Sequence, residues 1–529
     1  MELRLARSWY LLALFAGALP LWIASRLPMV DLPQHLHLIS VLHRLDDPTT
    51  LYPAEFALRG QLTPYLGYYH AVSLLHWLLP LPLANKAFLT AYVIGLPLSL
   101  AALLRALRRP TWPSLLALPF AYGDSFAWGF VNFCSALPLT LVSCAWFVRA
   151  LVDPSRRRRW GVAVALGTTA SLLFHVQAFA YLAVALPFLL LTTRAPDAVP
   201  GAGLQGWLRP RAAALLGVIP SVVLFLLWVG LRLGEPTEVE QGAPWKAWGP
   251  MLSPQNLAFK PFSQNLAELF SVLANQLQDG SDRWPLYAVG AVAACALLLA
   301  VSQWRLPSGG WGWVESLRMP GLALLALLLF FTLPFDIRGF SYYLNTRYAH
   351  LAAPLLLASL PPLGSVVHRR WLLYASVACA GLLALIHGRG YARFNEESSV
   401  LDEVIVHTAP RPRVMGLIFD SRSSVVRHPV YLHAAAELAR ARGGLTNFSF
   451  ALTPHSPLKY RHAPPPTFSS EWRPDTFRYE TMGPAYDHFL VRGVDPQRIF
   501  GPRLQSELAV ATRAGGFSLV RRRSAAPPR

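Results

Sequence analysis

The chain has 529 residues, 54% of them hydrophobic and only 14% charged, with a formal net charge of +19. A soluble globular chain carries roughly 25% charged residues, so this composition excludes a fully solvated surface and implies one covered largely by lipid. The basic residues sit mainly in short loops between apolar runs, where they orient helices in a membrane. With no zinc-finger spacing and no long solvated basic helix, nucleic acid is set aside as a partner.

A helix needs about 20 mostly apolar residues to cross roughly 30 Å of hydrocarbon. Such stretches recur until about residue 385 and then stop. Arg4 and Arg7 precede the apolar run 9–27, which reads as an uncleaved first span with a cytoplasmic N-terminus. A large outer loop, 29–83, interleaves apolar residues with His35, His37, His43, His70 and His76, a pattern suited to helices lying in the interface. Spans are expected at 84–104, 112–122 and 131–148, with Arg105, Arg108, Arg109 and the run 156–159 marking cytoplasmic ends.

Segment 160–193 is basic at both ends and reads as a hairpin of two short spans turning near His175. A single tilted helix is the alternative, and it inverts everything downstream. Further spans are expected at 212–231, 284–304, 319–334, 349–367 and 371–387, giving about eleven crossings and an extracytoplasmic tail. The chain thus divides into a polytopic α-helical membrane domain, 1–388, and a soluble extracytoplasmic α/β domain, 389–529. In the tail, 413–419, 486–491 and 517–520 read as strands, while 430–442 and 503–513 read as helices. Gly443 suits a helix C-cap, and the proline-rich 455–474 reads as irregular. Asn447-Phe448-Ser449 matches a glycosylation sequon. Cys134, Cys144, Cys295 and Cys379 all lie in apolar runs without a Cys-x-x-Cys pair, so neither a disulfide framework nor a zinc site is expected.

Asp31 is the most suggestive residue. It stands just outside the first span, in Asp31-Leu32-Pro33-Gln34-His35. A carboxylate there suits a general base toward a hydroxyl or a contribution to a divalent-metal site. It equally suits the N-cap of a helix opened by Pro33. His35, four residues on, would sit roughly above it. The histidines fit no metal signature. Asp124 in Gly123-Asp124-Ser125 reads as a turn residue, and Asn132 as a helix cap. His175 lies at the expected outer turn. Arg338 and Arg347 stand in the late outer loop, where arginine is costly unless wet or used. Tyr342 suits an ordinary interfacial belt. In the tail, Asp420, Arg422, His428 and His433 cluster near a strand end and read as packing or partner-binding groups.

The layout resembles the GT-C superfamily of integral-membrane glycosyltransferases. The resemblance is carried by the topology and by Asp31-Leu32-Pro33-Gln34-His35, Pro64-Tyr65-Leu66-Gly67-Tyr68-Tyr69-His70, Trp128-Gly129-Phe130-Val131-Asn132-Phe133 and Tyr342-Tyr343-Leu344-Asn345-Thr346-Arg347. It implies a sugar taken from a polyprenyl-phosphate carrier and passed, with inversion, to a lipid, glycan or protein acceptor outside the inner membrane. It further implies that Asp31 is the general base, with His35, Asp124, Asn132, His175, Arg338, Tyr342 and Arg347 binding substrate. Asp31 has no acidic neighbour in the first loop, so metal dependence stays open. Two other classes are weighed: an envelope-polysaccharide polymerase or ligase with its site in the late outer loop, and a transporter or non-catalytic scaffold. The charges lie at helix ends rather than mid-membrane, which disfavours a transporter.

Overall fold

The first helix, Glu2–Ala18, is prolonged by a short turn, Pro20–Ile23, and packs along the long last helix of the membrane part. The computed structural model describes residues 2–60, 63–197, 203–233, 253–301, 310–337, 342–363, 365–453 and 455–523. Among these, five helices are long and apolar enough to cross a membrane: Leu81–Ala106, Val131–Val152, Leu204–Leu231, Ser281–Val301 and Val366–Val406. Shorter apolar helices, Val176–Thr192 and Arg318–Thr332, stand beside them. Leu216, Leu226 and Leu227 are exposed on one of the long helices, a face that only lipid covers at low cost.

The segment Trp112–Tyr122 has the bounds expected of the third span but is wound as a 3-10 helix, and all of it is buried. Pro113 and Pro119 remove two backbone donors. At roughly 2.0 Å per residue its 11 residues reach about 22 Å, against about 17 Å as an α-helix. The tighter winding therefore lets a short segment reach further through the bundle.

Segment 160–193 forms two helices, Arg157–Phe174 and Val176–Thr192, broken at His175, which is extended at φ −162°. The Arg157 guanidinium pairs with Asp197 at 2.8 Å, so the start of the first helix and the residues after the second lie together. That closure makes the segment a hairpin and rules out the single tilted helix.

The end of the membrane part departs from expectation. The helix expected over 349–367 ends at Ala358, and the next runs unbroken over Val366–Ser398, through the expected domain boundary at 388. Gly388 and Gly390 suggested a stop, yet they serve close packing. A Cβ on Gly390 would lie 2.7 Å from Leu277, and one on Gly388 2.9 Å from Ile23.

The tail holds a five-stranded sheet in the order Leu445–Thr446, Arg413–Ile418, His488–Arg492, Phe517–Arg522, Leu508–Ala514. The first three strands are parallel and the last two antiparallel. The expected helix 503–513 is instead one helical turn, Arg503–Ser506, followed by the strand Leu508–Ala514. The turn at Gly515 and Gly516, with φ of +53° and +83°, pairs that strand with the next, a hairpin signal the helical spacing had masked. Helix Ala434–Arg442 ends at Gly443 with φ +69° and packs between the sheet and helix Leu32–His43 of the first outer loop. Asn447 is buried and bonds Gly416 N and Thr467, so its sequon is structural rather than accessible.

Backbone pairing ties the tail to the membrane part. Strand Phe56–Leu58 of the first loop pairs antiparallel with Leu458–Tyr460, inside the stretch expected to be irregular, and Leu277 bridges Val426. In a chain stripped of native cysteines, Ser155→Cys and Arg194→Cys should react with an impermeant thiol reagent from the same side of the membrane, and Arg422→Cys from the opposite side. Labelling of the first two from opposite sides would break the hairpin.

Candidate active site

Asp31 is held by backbone before its side chain is considered. Val30 N donates to Ala127 O and Asp31 N to Trp128 O, each at 3.0 Å. Gly129 permits that approach. Its φ is +87°, and a Cβ would lie 2.9 Å from Asp31 N. Asp31 occupies the N-cap position of helix Leu32–His43, but its side chain makes no capping bond. An N-cap oxygen bonds the second or third helical N–H, and here Pro33 removes the second. The carboxylate turns instead to His433 of the tail, with Oδ1 3.4 Å from Nε2, and its side chain stays 19% exposed.

The tail supplies the surroundings. The His433 ring stacks on Phe448 at 5.6 Å and lies edge-on to Phe450. Glu471 sits close enough to sense both groups. Burial raises its carboxyl above the usual range, His433 opposes that shift and the Asp31 charge reinforces it. The second acid of the membrane part is met in the same way: Asp124 Oδ1 lies 2.8 Å from His428 Nε2. Asp124 opens the short helix Asp124–Trp128, so it is a cross-domain partner rather than a mere turn residue. The Trp128 ring lies 5.0 Å from Tyr343 and edge-on to His428 at 5.5 Å.

Deeper lies a cation. Arg347 is 9% exposed, its guanidinium 4.2 Å over the Phe130 ring. It donates to Gln177 Oε1 at 2.5 Å and more weakly to the Tyr342 carbonyl, faces His175 Nε2 at 3.1 Å, and keeps Nε buried without a partner. No carboxylate among the described residues pairs with it, though Asp31 lies within electrostatic reach. A buried cation without an anion is costly, which is the condition of a site built for an anionic ligand. His175 Nδ1 accepts from Gln177 N and so caps the second hairpin helix. Among the described residues, two of the four non-glycine residues with positive φ, Tyr65 at 79° and Tyr343 at 58°, flank this region. Tyr65 lies edge-on to His175 at 4.6 Å, and burial pushes its hydroxyl up to about 12. Strain of this kind concentrates at functional sites.

The structure thus gathers Asp31, Asp124, His175 and Arg347 at one end of the bundle. Asn132 opens helix Val131–Val152 and keeps its side-chain oxygen buried and unpartnered, as a ligand for a hydroxyl would. His35 is enclosed by Tyr68, Tyr69 and Phe450, with Nδ1 2.7 Å from the Tyr69 hydroxyl, so it braces the loop instead of lining a cavity. Tyr342 points away, 58% exposed, and its neighbour Tyr343 provides the aromatic wall. Arg338 lies outside the described residues. Sequence reasoning missed Glu471 and the pairing roles of His428 and His433, whose partners lie hundreds of positions away. No group of three or more His, Cys, Asp or Glu among the described residues is placed to hold a metal ion.

No family model and no curated protein matches the chain. Among solved structures, ArnT from Cupriavidus metallidurans bound to undecaprenyl phosphate superposes with a TM-score of 0.54 at 11% identity, covering 98% of this chain and 97% of that one. Its apo state gives 0.44 at 13% identity over the same shares. The first comparison shows a common fold over almost the full lengths of both proteins.

Two histidines of this region set a pH dependence. Burial pushes both His35 and His37 down to about 4, from an unfolded value of 6.5. Between those values the unfolded chain binds protons that the folded chain refuses, so stability falls as pH drops from about 6.5 to about 4. Each group contributes up to roughly 3 kcal/mol of that loss. Thermal unfolding in detergent should show a steep decline over this window. His37→Phe, in contact with Tyr52 and Phe56, should flatten the decline whatever it does to the melting temperature at pH 7. An unchanged slope would contradict the assignment.

Proposed function

We propose that this chain is a membrane glycosyltransferase that moves a sugar from a polyprenyl-phosphate carrier to a hydroxyl of an extracytoplasmic lipid, glycan or protein acceptor. The observation that carries this reading is an uncapped, partly exposed carboxylate, Asp31, near a buried arginine, Arg347, that pairs with no carboxylate among the described residues. A base and an anion-binding cation are the two groups such a transfer needs from the protein. Support also comes from the shared fold, since the ArnT structure holds undecaprenyl phosphate.

In this mechanism the acceptor oxygen attacks the anomeric carbon while Asp31 takes its proton. The bond from that carbon to the carrier phosphate breaks, and the phosphate leaves with the electron pair. Arg347, steadied by Gln177 and stacked on Phe130, receives the new negative charge. The displacement is single and inverts the anomeric centre. Asn132 and Asp124 are assigned to sugar or acceptor hydroxyls. In the corresponding topology the N-terminus is cytoplasmic, the chain crosses the inner membrane about eleven times, and the tail is extracytoplasmic.

Purified protein given a panel of polyprenyl-phosphate sugars and acceptors should release polyprenyl phosphate. Asp31→Asn should lower turnover by about a hundredfold or more, and Arg347→Lys by about a hundredfold, since lysine cannot reproduce a planar, bidentate donor. If Asp31→Asn retained activity while Arg347→Lys lost it, the site would lie in the late outer loop, as in a polysaccharide polymerase or ligase. Absence of turnover and binding across the panel would overturn the transferase reading.

A further inference from the structure

We propose that His433, carried by the soluble tail, is the positioning residue of Asp31, directing its Nε2–H at Oδ1 and leaving Oδ2 as the proton-accepting oxygen. The role of that base rests on the transferase reading above; the contact between His433 and Asp31 does not.

The tautomer follows from the neighbours. Gln34 Nε2 donates to the Phe448 carbonyl at 2.8 Å, which fixes the orientation of its amide. The same nitrogen lies 3.5 Å from His433 Nδ1, so its second hydrogen makes Nδ1 an acceptor. In the neutral ring the proton then sits on Nε2, the atom 3.4 Å from Asp31 Oδ1. Such contacts are often long without substrate and tighten in the reactive complex. Gln34 and His433 are shielded from water. Gln34 is 1% exposed and His433 4%, and the stack on Phe448 prevents the ring from swinging.

The geometry also decides between two roles. With Nδ1 engaged by Gln34 and Nε2 turned to Asp31, His433 has no free nitrogen for a substrate proton. Asp31 keeps its side chain 19% exposed, so a substrate can reach the carboxylate. The histidine therefore orients and the carboxylate accepts. Other titratable or charged groups facing Asp31 are Glu471 from the tail, His35 and Tyr69 from the first loop, and Arg347 from the late loop. His428, five residues before His433, meets Asp124 at 2.8 Å, so one short stretch of the tail meets both acids. Seating the tail and aiming the base are then a single event.

The test uses the full-length protein with the carrier panel above. His433→Phe keeps the stack on Phe448 and removes the donor. It should lower kcat by about tenfold to a hundredfold, leave the carrier KM within about twofold, and move the acidic limb of the kcat/KM profile to higher pH. His433→Gln places an amide donor near the position of Nε2 and should restore most of kcat. Equal loss in both variants, or an unmoved acidic limb in His433→Phe, would overturn the proposal. A second readout does not depend on turnover. In 15N-histidine spectra the His433 signal, identified by its disappearance in His433→Gln, should report the Nε2–H tautomer and shift in Asp31→Asn. An Nδ1–H tautomer, or no response to Asp31→Asn, would sink the dyad even in an active enzyme. The expected spectra from a protein without transferase activity would retain the dyad and remove only its catalytic role.

Discussion

A charge at the edge of a hydrocarbon slab has to be met by another polar group or kept wet, and this molecule is organised around three such charges. Asp31 and Asp124 close one end of the helical bundle, and each is met by a histidine of the tail. Arg347 lies below them and is steadied by neutral groups of the hairpin turn. Leaving one buried charge uncompensated costs several kcal/mol, so the tail cannot be regarded as an appendage. Its attachment is accordingly through backbone as well as side chains. The pairing of Phe56–Leu58 with Leu458–Tyr460 and the bond from Leu51 N to Gly443 O fix its register on the first outer loop.

The parts of the fold legible from sequence are those written in local composition. Arginines at helix ends and two basic flanks located the hairpin broken at His175, and Gly443 located the end of the tail helix. What was hidden depends on packing at a distance. Gly388 and Gly390 look like a stop because glycine usually marks one, yet each is small because Ile23 or Leu277 occupies the space of a side chain. The strand Leu508–Ala514 looked helical because its apolar positions suit either period, and only the glycine pair beyond it distinguishes them.

The site divides in the same way. Asp31 stood out because a carboxylate just outside a first span sits at the water–lipid boundary. Its failure to cap the helix was not legible, because it follows from a helical backbone at φ −86° and ψ −10° where a capping residue is extended. Glu471 left no such trace, and His433 was legible only as one of a cluster near a strand end, not as the partner of Asp31. Contacts between residues some four hundred positions apart produce no periodicity and no spacing, and a histidine before an alanine-rich helix is ordinary. Tyr342 and Tyr343 show the limit most plainly. They are adjacent and identical, and the backbone alone, with φ +58° at Tyr343, decides which ring faces Trp128.

The two halves of the site are built by different parts of the chain, and this bears on how two substrates would meet. Arg347, Gln177 and Phe130 belong to the membrane part. On its tail side Asp31 is met by His433, with Phe448 and Glu471 behind it. On the proposed reading, the carrier phosphate is met by groups of the bundle and the acceptor hydroxyl by a base that the tail aims. Specificity for the acceptor would then reside in tail residues, and specificity for the carrier in the bundle. A tail displaced from its seat would leave the phosphate side of the site intact while depriving Asp31 of the group that aims it. Carrier binding without transfer is the state that such a division predicts.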